Sequence, residues 1–278
     1  METSHIVYPT SILSQYVKYY WIFRTGNREN KRIQTIPSGC THLVFHREGN
    51  LFFSKGEKQP KNFIRGQLSL PNSLVSSQGI DMIATVFHPL GLTPFFSLPT
   101  NNLYNKYIDI DDINDIPLKN LKERISNEPD VSICINQIEL FLINRIRYFN
   151  DYNYLRILNS IQQIKENIEV KVSDLADNAC LGYRQFKREF TKYVGMDPKE
   201  YLRVIRFQKI LYSLQINPDI HIADLVYICG FYDHSHLIKD FRHMSGCSPS
   251  EYLSSRKPYS TFFSKDCRIN LIKSTSQK

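Results

Sequence analysis

Over the first hundred or so residues, hydrophobic and polar positions alternate. Beyond them they recur at helical spacing. The run THLVFH places His42, Val44 and His46 on one face and Leu43 and Phe45 on the other, which is the period of a strand. NLFFSK, NFIRGQL and IDMIATVFH are similar short runs bounded by Gly, Asn and Pro turns. Residues 1–112 are therefore predicted to be mostly strand. From 112 to 149 the spacing lengthens: Val131, Ile135, Ile138, Leu142 and Phe149 recur at roughly heptad intervals. That stripe either packs on the strands or forms a dimer seam.

The C-terminal part reads as helices, and it repeats. GMDPKEYL begins at Gly195 and GCSPSEYL at Gly246, an offset of 51 that also maps Phe190 onto Phe241 and Arg188 onto Lys239. Upstream the offset is 50, with Val172 on Ile222 and Leu175 on Leu225, so the second copy carries one extra residue at GFYD. Each copy reads as short helix, turn, helix. In the first, Ser173 is the expected cap of a helix 174–179, Leu181 and Gly182 make the turn, and Phe186, Phe190 and Tyr193 form the buried face of a helix 183–193. Arg184, Lys187, Arg188, Thr191 and Lys192 lie outward. In the second, residues 222–229 form the short helix and Asp233 caps a helix reaching about Met244. Leu237 and Phe241 point inward, and His234, Ser235, Ile238, Lys239 and Arg242 outward. Gly195 suits a left-handed helix end and Pro198 the first turn of a connecting helix, Pro198 to about Leu214, with Tyr201, Leu202, Ile205, Leu211 and Leu214 inside. At ~1.5 Å per residue this connector spans about 25 Å, suited to holding two helices in major grooves roughly 34 Å apart. A preceding helix, 155–166, completes the first unit through Leu158, Ile161 and Ile164.

Charge adds a location to this pattern. The 278 residues carry 35 Lys+Arg and 27 Asp+Glu, a formal net charge of +8. Residues 151–278 hold 19 basic and 14 acidic side chains, and the window Arg184–Lys209 alone holds eight basic and three acidic. A local excess of that kind calls for a polyanionic partner. The ordinary hydrophobic content of 42% excludes global disorder. No apolar run reaches the roughly 20 residues of a membrane span. Six scattered cysteines without a C-x-x-C pair, and no signal-like N-terminus, point to a reduced, cytoplasmic protein.

The segments VSDLADNACLGYRQFKREFTKYVGMDPKEYLRVIRFQKI and IADLVYICGFYDHSHLIKDFRHMSGCSPSEYL resemble the DNA-binding domain of AraC/XylS-type transcription regulators. The resemblance rests on the F-(x)4-G-x-x-P-x-x-Y spacing seen twice, the G-F turn and the R-(x)2-R of the connector. It implies two helix-turn-helix units in one domain. Arg184, Gln185, Lys187, Arg188 and Lys192 would occupy the outward face of the first recognition helix, and His234, Ser235, His236, Lys239 and Arg242 that of the second. Gly182 stands where the family usually has a capping Ser, and Val226 where it usually has Ala. YVKYYWIFR, IPSGCTHLVFH, FIRGQ and ATVFHPLG resemble the small cupin-like N-terminal domain of some such regulators, which implies a sensor of unknown effector. The expected fold is α+β: a β-rich N-terminal sensor or dimerisation domain with following helices at 1–150, an all-α double helix-turn-helix domain at 151–256, and a tail at 257–278. The expected partners are double-stranded promoter or operator DNA and RNA polymerase, with a small-molecule effector and homodimerisation open. No cofactor and no membrane are expected.

Other residue groups compete for chemical roles. Arg203, Arg206 and Lys209 are weaker candidates for phosphate contact, since some should bond acids such as Glu200. Glu189 and Asp240 occupy equivalent repeat positions, where a carboxylate would repel phosphate, so internal ion pairs are expected. His42, His46 and His88 could form a metal trio, which would make the N-terminal half a metal-dependent cupin-type enzyme fused to a DNA-targeting domain. An H-x-x-x-H strand without a nearby Glu favours packed histidines and no enzyme. Cys40 is expected to be buried. Trp21, with Tyr19, Tyr20 and Phe23, is expected in the core more than in a pocket.

Overall fold

The computed structural model describes residues 3–26, 32–146 and 151–254. Nine strands come first: β1 Thr3–Val7, β2 Val17–Arg24, β3 Arg32–Thr35, β4 Thr41–Glu48, β5 Leu51–Phe53, β6 Asn62–Arg65, β7 Asn72–Ser76, β8 Asp81–Phe87 and β9 Tyr107–Asp109. Six form an antiparallel sheet in the order β1-β2-β8-β4-β6-β9, and three form a second antiparallel sheet, β3-β7-β5.

The period-2 pattern sorts the larger sheet into two faces. Tyr19, Trp21, Phe23, Val44, Phe63, Met82 and Ala84 point toward the smaller sheet. Tyr20, Ile22, Leu43, Phe45, Ile64, Ile83 and Phe87 point the other way. There they meet α1 Ile116–Asn127 and α2 Val131–Ile143. Asp115 and Asp130 cap these helices by accepting from Leu118 N and Ser132 N. The Arg145 guanidinium holds both Asp115 oxygens, at 2.6 and 2.5 Å. Ile135, Ile138 and Leu142 are buried in this layer, so the apolar stripe packs on its own sheet and the dimer-seam alternative is set aside for these residues. Phe149 and the tail 257–278 lie outside the described residues.

The all-α part comprises α3 Tyr152–Glu166, α4 Val172–Asn178, α5 Tyr183–Val194, α6 Pro198–Ile216, α7 Ile222–Ile228, α8 His234–Ser245 and α9 Pro249–Ser254. β-rich first half, helices, then an all-α second half is the expected α+β order. Three local readings are corrected. On α3 the buried stripe is Tyr154, Ile157, Ile161 and Ile164, while Leu158 is 43% exposed, because Ile157, at the four-residue spacing from Ile161, takes the inward position. Ser173 does not cap α4: the N-cap is Lys171, and the Ser173 hydroxyl bonds Asp174. The connector α6 buries Val204, Phe207, Gln208 and Ile210 as well as the expected residues, whereas Ile205 is only partly buried.

That wide burial has a cause. α6 lies between the two helix-turn-helix copies and also against the N-terminal half. Its Gln208 side chain donates to the Pro37 carbonyl, and Gly39 packs beside Tyr201 and Ile205. One apolar cluster therefore runs without a break from the space between the sheets, through Ile36, Cys40 and Tyr201, into the core around Phe190, Phe207 and Phe241.

Candidate nucleic-acid interface

The first copy is α4, a turn and α5; the second is α7, a turn and α8. Both turns need a left-handed residue. Gly230 supplies it at φ +66° in the second copy, and in the first copy the residue 50 positions earlier, Cys180, adopts φ +52°. Each second helix ends on a left-handed glycine, Gly195 at φ +88° and Gly246 at φ +78°. Asp233 caps α8 by accepting from His236 N, but Gly182 gives α5 no side-chain cap. An added Cβ at Gly182 meets nothing within 4 Å, and its φ of −60° suits any residue. Gly182→Ser is thus expected to stabilise the fold by a few tenths of a kcal/mol, read as a small rise in melting midpoint.

On α5, Phe186, Phe190, Tyr193 and Val194 are buried. Arg184, Gln185, Arg188 and Lys192 are exposed, and Lys187 is half-buried with its ammonium 2.8 Å from Asp197. That carboxylate raises the Lys187 pKa above the usual lysine value. On α8, Leu237, Phe241 and Met244 are buried, while His234, Ser235, His236, Lys239 and Arg242 are all exposed. All ten residues expected at the interface thus lie on the outer faces of two equivalent helices. Open clefts coincide with those faces. One is lined by Lys187, Arg188, Thr191 and Lys192 together with Asn101 of the N-terminal half, the other by Ser235, Ile238, Lys239 and Arg242.

The two repeat-equivalent acids are buried and paired. Glu189 meets Arg188 at 3.2 Å and Lys192 at 3.9 Å on its own helix. Asp240 is held by two bonds from Arg203 of α6, at 2.7 and 3.1 Å, with His236 at 3.7 Å. Hydrogen bonding to Asp240 raises the Arg203 pKa. Arg203 is therefore an internal clamp between α6 and α8, and its partner is not Glu200, whose carboxylate accepts from the Tyr104 hydroxyl of the N-terminal half. Arg206 is also turned inward, toward the Ile168 carbonyl at 3.5 Å, and burial lowers its pKa. Arg203→Ala leaves Asp240 buried without its two guanidinium hydrogen bonds, with His236 at 3.7 Å and the charge of Arg206 as the remaining compensation. Because the guanidinium is itself partly exposed, the cost falls below that of a fully buried pair, on the order of 2 kcal/mol in chemical unfolding.

The N-terminal half reaches the same helices. The Thr100 hydroxyl donates to the Lys192 carbonyl at the end of α5, and Gln34 Nε2 donates to the Ser245 carbonyl at the end of α8, at 2.6 Å. Gly195 comes so close to Thr100 that an added Cβ would lie 2.9 Å from its carbonyl oxygen. No local sequence signal marked Gln34, Thr100, Tyr104 or Gln208 as contact residues.

The histidine trio is not brought together, and no cluster of three His, Cys, Asp or Glu suited to a metal occurs among the described residues. His42 instead meets Arg65, whose Nη2 lies 2.8 Å from its Nδ1. Cys40 is buried, and the five described cysteines are free. Trp21 and Phe23 belong to the core and also line a cavity between the sheets, while Tyr20 faces the opposite layer. Among the described residues no helix is long and apolar enough to cross a membrane.

Comparison with known proteins agrees with this geometry. Residues 175–255 match a family model described as "Helix-turn-helix domain". Over 88 residues the chain is 32% identical to the HTH-type transcriptional activator RhaS of Enterobacter sp. (strain 638), covering 32% of this chain and 31% of that protein. The C-terminal domain is an AraC/XylS-type double helix-turn-helix domain. RhaS of Escherichia coli (strain K12 / DH10B) is 30% identical over the same length, again 32% of this chain and 31% of that protein. The chain thus spans about a third of the length of these curated relatives. Residues 5–109 match a "Domain of unknown function (DUF6597)". Among solved structures, ToxT from Vibrio cholerae O395 is 13% identical, with 88% of this chain and 99% of that chain covered at a TM-score of 0.46. The DNA-binding domain of AdpA in complex with a target DNA is 25% identical over 37% of this chain and 96% of that chain, at 0.35. Both scores are too low to establish a shared fold.

Proposed function

We propose that the protein is a transcription regulator, an activator, that binds specific double-stranded promoter or operator DNA through α5 and α8. The observation that carries this reading is the duplicated helix-turn-helix, with both second helices presenting exposed basic and hydrogen-bonding side chains and α6 joining them. A major groove admits one α-helix, arginine bonds guanine bidentately, and lysine neutralises phosphate. In this reading Arg184, Gln185, Lys187, Arg188 and Lys192 face one groove, and His234, Ser235, His236, Lys239 and Arg242 the next. Residues 151–256 form the DNA reader. Residues 1–150 gate it as an effector or dimerisation module, and RNA polymerase is the downstream partner in the cytoplasm.

The test is selection of bound sequences from a random DNA pool, followed by gel-shift titration of the winner at several salt concentrations. The expected result is a bipartite site with half-sites about one helical turn apart and affinity that falls steeply with salt. Replacing one phosphate-contacting lysine, such as Lys192→Ala, flattens the log–log slope by about one. Equal affinity for selected and scrambled DNA would overturn the reading.

A further inference from the structure

The two sheets of the N-terminal half enclose a cavity of about 40 Å³. At ~10–15 Å³ of probe-occupied volume per water, it has room for roughly three or four non-hydrogen atoms. Its lining is largely apolar, but four of the lining residues each carry a buried polar atom without a hydrogen-bond partner in the structure: Thr35 Oγ1, His46 Nδ1, Gln59 Oε1 and Arg65 Nε. All four residues are less than a tenth exposed.

Arg65 is the unusual member. It follows Phe63 on the inward face of β6, directly across from His42 on β4. A guanidinium stays charged in a protein, and a buried ionic group is ordinarily matched by an opposite charge. Among the described residues both polar contacts of Arg65 are to His42, from Nη2 at 2.8 and 3.0 Å to the two ring nitrogens. His42 supplies no negative charge. Burial pushes its pKa well below the usual value and brings His46 down to about 4, so both rings are neutral near pH 7. The cavity wall therefore carries one positive charge beside several donors.

We propose that this cavity is a binding site for a small planar oxyanion of three or four non-hydrogen atoms, held by Arg65 with Thr35 and His46 as further donors. Gln59 Oε1 is an acceptor. An oxyanion that also carries an O–H, as hydrogencarbonate does, uses all four groups, while formate, nitrate and acetate use the donors alone. The site deepens the effector reading above and rests on it only for its regulatory consequence. That consequence follows from position. Thr35 closes β3, where neighbouring side chains point to opposite faces, and its neighbour Gln34 holds the end of α8. Gln67, two residues beyond Arg65, donates to the carbonyl of Gly39, which packs against α6. Occupancy of the cavity thus bears on the strands that hold the recognition helices.

The single tryptophan of the chain, Trp21, lines the cavity and serves as the reporter. Fluorescence of the full-length protein is titrated with hydrogencarbonate, formate, acetate and nitrate at constant ionic strength, set with sulfate, and with acetamide as the neutral counterpart of acetate. The expected result is a saturable change with at least one oxyanion, none with acetamide, and a raised melting midpoint at saturation. Arg65→Gln should weaken binding at least 30-fold and Thr35→Val several-fold. If Arg65→Gln does not melt cooperatively, Thr35→Val carries the comparison for every anion, and Gln59→Leu for hydrogencarbonate alone. No saturable response to any of the four oxyanions, or wild-type affinity in the folded donor variants Arg65→Gln and Thr35→Val, overturns the site. Affinity for the selected DNA is measured on the same preparations. DNA binding without an anion response removes the cavity site and leaves the regulator reading intact. An anion response with no DNA binding does the reverse, and an anion response that leaves DNA affinity unchanged supports the site while removing its coupling to α8.

Discussion

Replacing Arg184, Arg188 and Lys239 together by alanine is expected to reduce affinity for the selected DNA on the order of 10³-fold or more while leaving the fold intact. A base-reading arginine is worth about 1–3 kcal/mol, and losses on α5 and α8 add because the helices act in different grooves. Arg184 and Arg188 are one turn apart on α5, so their two contributions are coupled. Stability should change little, since all three side chains are exposed. Glu189, the buried partner of Arg188, keeps Lys192 at 3.9 Å. A matched control removes the same charge elsewhere: Lys55, Lys58 and Arg124 are exposed on the N-terminal half. Their combined alanine variant should keep affinity within about threefold, because a distant charge is screened beyond the roughly 8–10 Å Debye length. Equal losses in the two variants would mean that net charge, and not the helix faces, governs binding.

Acid should unfold the protein between about pH 6.5 and pH 4, before most carboxylates titrate. His46 and His88 are each lowered from 6.5 to about 4, chiefly by burial, with Lys61 adding to the effect on His46 and Lys165 and Lys18 to that on His88. His42 is also lowered well below its usual value, by burial, Arg65 and Lys18. Throughout this window the unfolded chain binds protons that the folded chain refuses, so stability rises with pH and is lost as pH falls. Lowering a histidine from 6.5 to about 4 corresponds to about 3 kcal/mol, so His46 and His88 together remove on the order of 6 kcal/mol by pH 4. That is comparable with the whole stability of a small domain. Urea unfolding at a series of pH values reads the slope, and each histidine contributes up to about 1.4 kcal/mol per pH unit. His46→Met should lower the slope by nearly that amount and move the acid midpoint down. An unchanged slope would place the proton uptake in other groups.

These two predictions draw on features of different legibility. The outward faces of α5 and α8 were readable because their signals are local and occur twice: aromatic spacing marks the buried face of each helix, and the glycines mark where each stops. The strands were equally readable, since His42, Val44 and His46 occupy one face as the alternation required. Where burial depends on distant segments, local reading failed. Leu158 and Ile157 are both apolar, and only packing against α4 and α5 decides between them. Gln208 reads as a solvent-facing helix residue, yet it is buried because a loop 171 residues earlier lies across α6. Arg65 left one trace, a charge in register with Phe63 on an apolar strand face. Its burial depends on a second sheet that the strand itself does not encode.

The donors Thr100 and Gln34 grip the last turns of α5 and α8, at carbonyls two positions apart in the repeat register. In the proposed DNA reading, the N-terminal half is a caliper whose jaws are set on α5 and α8. A chimera that keeps residues 151–254 but takes its first 110 residues from another regulator loses both jaws at once. Its preferred gap between half-sites then broadens, even though every residue facing the bases is unchanged. In the proposed reading, operator spacing is set partly by a half of the chain that lies outside the helix repeat.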